Sequence, residues 1–309
     1  MNDVAIEKEK GRAAFGLDPA GYHQARPDYP EWVFEILRSR CGLGEGTSTF
    51  EIGAGTGKAT RRMLESGANP LVAIEPDARL AGFLEEKAGS PALRVVNSAF
   101  EDAVLARSSF DLGTSATAFH WVNEADALQR IVDALRVGGW WAPFWNIFGD
   151  PDRDDPFHEA TKVLLSDGPA NPSNSDSSNL EFGADKVARL AALEAAQAFD
   201  MIDVQASTWS IELDPDQTMQ LYSSYSNVTL RPDRERVIAE IGAHRARRIW
   251  RTCYSKHDNH PLCGPQSGLI VGLRWPLLAR SGPFRSAAPG PKAERQLLGS
   301  RESHLNDRD

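Results

Sequence analysis

Between Thr49 and Trp145, short apolar runs alternate with segments whose apolar residues fall three and four positions apart. That pattern predicts alternating strands and helices. Strands are predicted at Thr49–Ile52, Leu71–Ile74, Leu93–Val96, Phe110–Ala116 and Trp140–Trp145, and helices at Lys58–Ser66, Ala78–Lys87 and Glu124–Arg136. The last helix carries Ala127, Leu128, Ile131, Val132 and Leu135 on one side. Ahead of the first strand, Val33, Phe34, Ile36 and Leu37 predict a helix over Glu31–Arg40, ended by Gly42, Gly44 and Gly46. Regular β-α-β alternation implies an α/β fold: a doubly wound, mostly parallel sheet with right-handed crossovers and helices on both faces. Ligands of such sheets bind beyond the carboxyl ends of the strands, where Gly53, Glu75, Ala99 and Thr117 fall.

The alternation breaks after Asn146. Phe157–Leu165, Lys186–Gln197, Pro215–Tyr225 and Asp233–Ala243 are predicted helical and Ile202–Ile211 a strand, while the polar run Gly168–Ser178 predicts a flexible loop. Leu269–Leu278 is apolar enough for a strand, but Pro276 confines it to an edge or a bulge. Tyr22–Pro30, stiffened by Pro27 and Pro30, is expected to be extended. The organisation expected is a loose polar arm at 1–20, a ligand-binding α/β core at 21–150 and a helical lid with remaining core elements at 151–250. An edge strand and a disordered Pro/Gly/Ser/Arg/Glu-rich tail would complete 251–309.

With 309 residues, 41% hydrophobic and 25% charged, the chain has the composition of a globular protein able to bury a core. No apolar stretch approaches the roughly 18 residues that would span a bilayer. The charged N-terminus does not resemble a signal peptide, so a cytoplasmic location and no membrane partner are expected. A formal charge of −9 argues against nucleic acid, whose binding draws on cationic side chains, and points to a small-molecule partner. Cys41, Cys253 and Cys263 are too widely spaced for a zinc site and odd in number for a disulfide framework, so no metal is expected.

The candidate chemistry lies in Phe50-Glu51-Ile52-Gly53-Ala54-Gly55-Thr56-Gly57 and in Val72-Ala73-Ile74-Glu75-Pro76. The glycines allow a sharp turn out of a strand and close approach of a ligand where a Cβ would collide. The acidic residue after the second run can accept hydrogen bonds from both hydroxyls of a ribose. A dinucleotide fingerprint needs glycine at 58, where Lys58 stands; a P-loop needs glycine at 52 and Ser or Thr at 59, where Ile52 and Ala59 stand. What remains is E-x-G-x-G-x-G.

This motif, with Glu75 at the distance of a ribose-binding carboxylate, resembles the first motif of the class I methyltransferases that use S-adenosyl-L-methionine and release S-adenosyl-L-homocysteine. Tyr22-x-x-x-Arg26-Pro27-x-Tyr29-Pro30, Ser115–Val122 and Ala134–Gly139 resemble segments of a small-molecule group related to trans-aconitate-type methyltransferases, as does Ser224-Tyr225-Ser226 with Arg231-Pro232. The resemblance covers about residues 15–245 and implies a Rossmann-like fold. It also implies that Gly53, Ala54, Gly55 and Gly57 line the methionine portion, Glu51 helps hold its amino end, and Glu75 with Pro76 takes the ribose. Tyr22, Arg26, Thr117 and Phe119 complete the cofactor set. Where the family often places an acidic residue near the adenine amino group, this chain reads Asn97-Ser98-Ala99-Phe100-Glu101, leaving Ala99 and Phe100 to pack on the ring. The family's closing antiparallel strand has no clean counterpart after Arg251.

His120 is the candidate catalytic group, as a base or as a side chain that orients substrate, with packing at a helix start as the alternative. Trp121, Trp145, Tyr222 and Tyr225 are candidates to wall an acceptor pocket; Tyr222 and Tyr225, three apart on a helix, share a face. A base is not obligatory for transfer from a sulfonium. The expected activity is therefore methyl transfer to a small-molecule acceptor by a monomer or homodimer. An NAD(P)-binding oxidoreductase and a non-catalytic protein retaining the cofactor fold are the alternatives.

Overall fold

The helices begin and end where short polar side chains and glycines allow. Asp77 accepts from the amides of Arg79 and Leu80, Asn123 from Asp126 and Asp214 from Gln217, satisfying first-turn N–H groups that have no partner inside a helix. In this computed structural model residues 6–148, 156–168, 180–254 and 268–281 are described. In chain order they form α1 (Lys8–Phe15), α2 (Pro19–Ala25), α3 (Glu31–Cys41), β1 (Thr47–Ile52), α4 (Lys58–Glu65), β2 (Ala68–Ile74), α5 (Ala78–Ala88), β3 (Leu93–Val96) and β4 (Phe110–Ala116). A single 3-10 turn at Phe119–Trp121 precedes α6 (Glu124–Ala134) and β5 (Leu135–Phe148). The remainder comprises α7 (Pro156–Leu165), α8 (Lys186–Ala195), β6 (Phe199–Glu212), α9 (Pro215–Ser223), α10 (Ser226–Thr229), α11 (Arg234–Tyr254) and β7 (Gly268–Ser281).

The sheet has the order β3-β2-β1-β4-β5-β7-β6, parallel from β3 to β5 and antiparallel on both sides of β7. All six residues of β1 are buried, because helices cover both faces of a parallel sheet. Alternate residues therefore feed two cores. In β5, Trp141, Trp145 and Ile147 join Phe50, Phe110 and Ile131 on one side, while Ala142 and Phe144 join Phe34, Leu37, Met63 and Leu112 on the other. The chain order reverses between β1 and β4, which opens a crevice at the carboxyl ends of β1, β2 and β4.

Three expectations need correction. Residues 8–15, read as part of a loose arm, form α1, whose Gly11 lies so close to the Trp121 ring that an added Cβ would come within 2.6 Å of it. Tyr22 belongs to helix α2, so only the end of Tyr22–Pro30 is extended. Leu269–Leu278 is part of β7, which runs inside the sheet rather than at its edge; β6 is the edge strand. Pro276 pairs with Phe144 beside a register slip between Phe144 and Asn146, and a second slip lies between Val204 and Ala206, so an irregular ladder accommodates a residue with no N–H to donate. The closing antiparallel strand that the sequence left without a counterpart is this one. The predicted loop at 168–178, apart from Gly168, and the predicted disordered tail beyond Ser281 lie outside the described residues.

Candidate functional site

The turn from β1 into α4 uses left-handed backbone at Gly53, Gly55 and Gly57, with φ of 68°, 58° and 84°. At Gly53 a Cβ would meet the Ala118 Cβ at 2.4 Å and at Gly57 the Leu84 Cδ1 at 2.3 Å, whereas a Cβ on Gly55 meets nothing within 4 Å. The middle glycine thus faces open space. The amides of Gly53 and Ala54 donate to the Ile74 carbonyl at 2.9 and 3.2 Å, tying the turn to the end of β2.

Glu75 follows Ile74 and is 4% exposed. Its Oε2 accepts from the Gly55 amide at 2.8 Å and its Oε1 from the Asp77 amide at 3.0 Å. Burial pushes its pKa up to about 7, against the opposing pull of those two backbone donors. The carboxylate lies at the glycine turn, and each of its oxygens keeps a lone pair for a further donor. Asn97 Nδ2 donates to the carbonyls of Glu75 and Pro76 at 2.9 and 3.0 Å, so the segment after β3 braces the end of β2.

Glu51, in β1, is 1% exposed. Thr60 Oγ1 donates to its Oε2 at 2.5 Å, while Oε1 has no hydrogen-bond partner among the described residues. Burial, opposed by the Thr60 hydrogen bond and reinforced by nearby Glu75, raises its pKa to about 8. Arg26 stacks over Tyr225 and Tyr22, 4.5 and 5.2 Å from the ring centroids, and its Nη2 donates to the Ser224 carbonyl at 3.0 Å. Its Nε is buried without a partner among the described residues.

These groups line two adjoining cavities of about 820 and 520 Å³ that share Tyr22, Arg26, Gly53, Gly55, Ala116 and Thr117. The larger is walled by Glu75, Pro76, Leu80 and Phe100 on one side and by Phe15, His120, Trp121 and Val122 on the other. The smaller holds Glu51, Ala54, Lys58, Tyr29, Asn146 and Phe148. Thr117 stands where they meet; its φ of 53° is rare for a β-branched residue.

His120 is buried, and desolvation, with Lys8, Arg26 and Arg12 adding to it, lowers its pKa to about 3. The imidazole is therefore neutral at pH 7 and weak as a base, which favours the orienting half of the sequence expectation.

Several candidates stand elsewhere. Phe119 turns into the core against Trp141, and Trp145 packs against Phe182. Tyr222 is buried beside Phe157, with its hydroxyl on Thr161 Oγ1 at 3.2 Å. Ala99 lines neither cavity; its carbonyl accepts from the amides of Asp102 and Ala103. Tyr225 lines neither cavity and meets the site through Arg26 and Phe148. Conversely, Arg12, Phe15 and Asn146 wall the cavities although nothing in the sequence singled them out. Arg12 was hidden in a polar segment; it donates to the Trp121 carbonyl and pairs with Glu101 at 3.2 Å.

Residues 50–142 match the methyltransferase domain family. An uncharacterized methyltransferase of Schizosaccharomyces pombe, C25B8.09, is 32% identical over 160 residues, which are 52% of this chain and 62% of that protein. CRG1 of Saccharomyces cerevisiae, named as a probable S-adenosylmethionine-dependent methyltransferase, is 32% identical over 158 residues, 49% of this chain and 52% of that one. The chain thus spans about half to three-fifths of the length of these curated relatives. Among solved structures, a methyltransferase assigned to an antibiotic biosynthesis pathway of Anabaena variabilis superposes with a TM-score of 0.60 at 15% identity, covering 83% of this chain and 99% of the other. Phosphoethanolamine N-methyltransferase 2 of Haemonchus contortus does so with 0.51 at 11% identity, covering 87% and 58%. Such distant matches speak for the fold alone.

Residues 50–142 thus match a methyltransferase domain, and the sheet order and glycine turn around them have the fold of the class I methyltransferases. The relatives it matches are named as methyltransferases, one of them as a probable S-adenosylmethionine-dependent methyltransferase. No described helix is long and apolar enough to cross a membrane.

Proposed function

We propose that this protein transfers a methyl group from S-adenosylmethionine to a small organic acceptor. The observation that carries the reading is the placement of Glu75: a buried carboxylate fixed by the Gly55 and Asp77 amides at the glycine turn, with lone pairs left for a ribose diol. The donor set suits the rest of the cofactor. Glu51, with an unpaired buried oxygen, would hold the ammonium, and Arg26, with an unpaired buried Nε, the carboxylate. Pro76, Leu80 and Phe100 would flank the adenine.

When bound, S-adenosylmethionine supplies a methyl group already activated on a sulfonium. The work left to the chain is to hold an acceptor in line and to exclude water. Phe15, Tyr22 and Trp121 close the cleft from the N-terminal side, with ring centroids 5.5 and 5.6 Å from Phe15. His120, neutral, donates or accepts a hydrogen bond without taking the proton. Net charge of −9 supports a small molecule over nucleic acid. Lys58, the first residue of α4, stands where a dinucleotide fingerprint needs its third glycine and pairs with Asp28 at 2.7 Å, which weighs against an NAD(P) enzyme.

Calorimetry with S-adenosylhomocysteine tests the reading. Saturable binding is expected, weakened about 30- to 150-fold by Glu75→Ala, since hydrogen bonds to a charged group contribute about 2–3 kcal/mol. Glu75→Gln, which keeps the shape, should show most of the same loss. Absence of saturable binding in the unaltered protein overturns the reading.

A further inference from the structure

Asn146 is 9% exposed, lines the smaller cavity, and carries an Oδ1 that is sealed from solvent with no hydrogen-bond partner among the described residues. A buried carbonyl oxygen left unpaired is destabilising, because it has given up water and gained no partner. Asn146 as a residue lines the smaller cavity, and a ligand group that draws its amide towards that cavity would give the oxygen a partner. The backbone N–H of the same residue donates to Thr117 Oγ1 at 3.1 Å, which places Asn146 directly beside the junction of the two cavities.

Thr117 adds a complementary group. Its Oγ1 accepts from the Tyr29 hydroxyl at 3.0 Å as well as from the Asn146 amide. Tyr29 is half-buried, and desolvation of its hydroxyl holds the pKa well above the ordinary phenol value, so the hydroxyl keeps its proton and can donate. A threonine hydroxyl has two lone pairs and one proton. With both lone pairs engaged, only the proton is left to offer. The left-handed backbone at Thr117 is strained for a β-branched residue and is retained where surroundings fix it, here through its own amide on the Phe144 carbonyl at 2.7 Å. One acceptor and one donor therefore stand side by side at the junction.

We propose that Asn146 and Thr117 form the subsite for the methyl acceptor, and that the group they select is a hydroxyl. An O–H can donate to Asn146 Oδ1, accept from Thr117 Oγ1, and still keep one lone pair free to face the methyl donor; as that pair forms the O–CH3 bond the S–CH3 bond breaks, and the hydroxyl proton is released to bulk water. An amine has a single lone pair, so accepting from Thr117 would consume the pair needed for attack. A carboxylate has no proton for Asn146 and meets an unpaired carbonyl oxygen. The walls around the pair, Tyr22, Tyr29 and Phe148, are aromatic and suit a planar framework. This assignment rests on the methyltransferase reading above.

The two are separable by experiment. S-adenosylhomocysteine binding is measured first; its absence would overturn the methyltransferase reading itself. Protein saturated with S-adenosylhomocysteine is then titrated with phenol, aniline, benzoate and toluene. Phenol is expected to bind at least about ten-fold more tightly than toluene, with aniline between them and benzoate no tighter than toluene. Asn146→Leu, at a saturating concentration of S-adenosylhomocysteine, should bring phenol to within about two-fold of toluene. Asn146→Asp, which still presents an accepting oxygen, should keep phenol's advantage, and Thr117→Ala should reduce it. Phenol no tighter than toluene in the unaltered protein, benzoate tightest of the four, or an advantage that survives Asn146→Leu each overturns the assignment.

Discussion

With both oxygens of Glu75 held by backbone amides and burial raising its pKa to about 7, the carboxyl is protonated in much of the protein at pH 6 and ionised at pH 8. Ribose hydroxyls donate more strongly to the ionised form. Affinity for S-adenosylhomocysteine should therefore rise several-fold between pH 6 and 8, as isothermal titration can measure, and the slope should flatten in Glu75→Gln. Glu51, raised to about 8, acts in the same direction through the ammonium. At this scale the sequence was informative about the acids and glycines, because their chemistry requires those residue types. It was silent on Asn146. A lone amide in an apolar strand carries no spacing signal, and the proposed role comes from the two groups that donate to the Thr117 hydroxyl, Tyr29 and the Asn146 amide.

The elements between Thr47 and Phe148 were legible because each strand and helix repeats its own period. Which face of β5 meets the ligand was not. Trp145 and Asn146 are neighbours on opposite faces, so one joins the aromatic core with Phe182 and the other lines the cleft. Helix α1 was illegible for a different reason. Lys8–Phe15 buries only Gly11 and Ala14, and its position depends on distant partners: the Trp121 ring against Gly11, Arg12 on the Trp121 carbonyl, and Arg79 Nη2 on the Ala13 carbonyl at 2.8 Å. Gly11→Val should push α1 off that ring. Overpacking of this kind typically costs about 1–3 kcal/mol, which predicts S-adenosylhomocysteine binding weaker by roughly 5- to 150-fold. An unchanged affinity would show that α1 is not part of the cleft wall.

For the whole molecule, desolvation lowers His120 to about 3, so its contribution to stability is lost as pH falls below the ordinary 6.5. Four carboxyls oppose it: Glu51 has a folded pKa of about 8 and Glu75, Glu124 and Glu181 of about 7, above the ordinary 4.5. The stability they contribute is complete below pH 4.5 and is lost as pH rises towards 8. Asp28 and Asp77 run the other way, held low by Lys58 and Arg79 respectively, so their contribution is lost as pH falls below the ordinary 3.8. Thermal stability without cofactor should peak near pH 4–5 and fall on the order of 10 °C by pH 8.5 in a fluorimetric melt. Glu51→Gln, which cannot ionise, should lessen the decline; a melt that rises steadily to pH 8.5 would contradict it.

The strand β7 has a consequence for how the protein is made. It occupies the gap between β5 and β6, yet it comes from residues 268–281, after every other described strand has left the ribosome. Until then the nascent chain carries two unfilled hydrogen-bonding rims, on β5 and on β6, that can recruit strangers. Cells that produce a version ending at Tyr254 should find it in inclusion bodies, even though every residue lining the two cavities is already present.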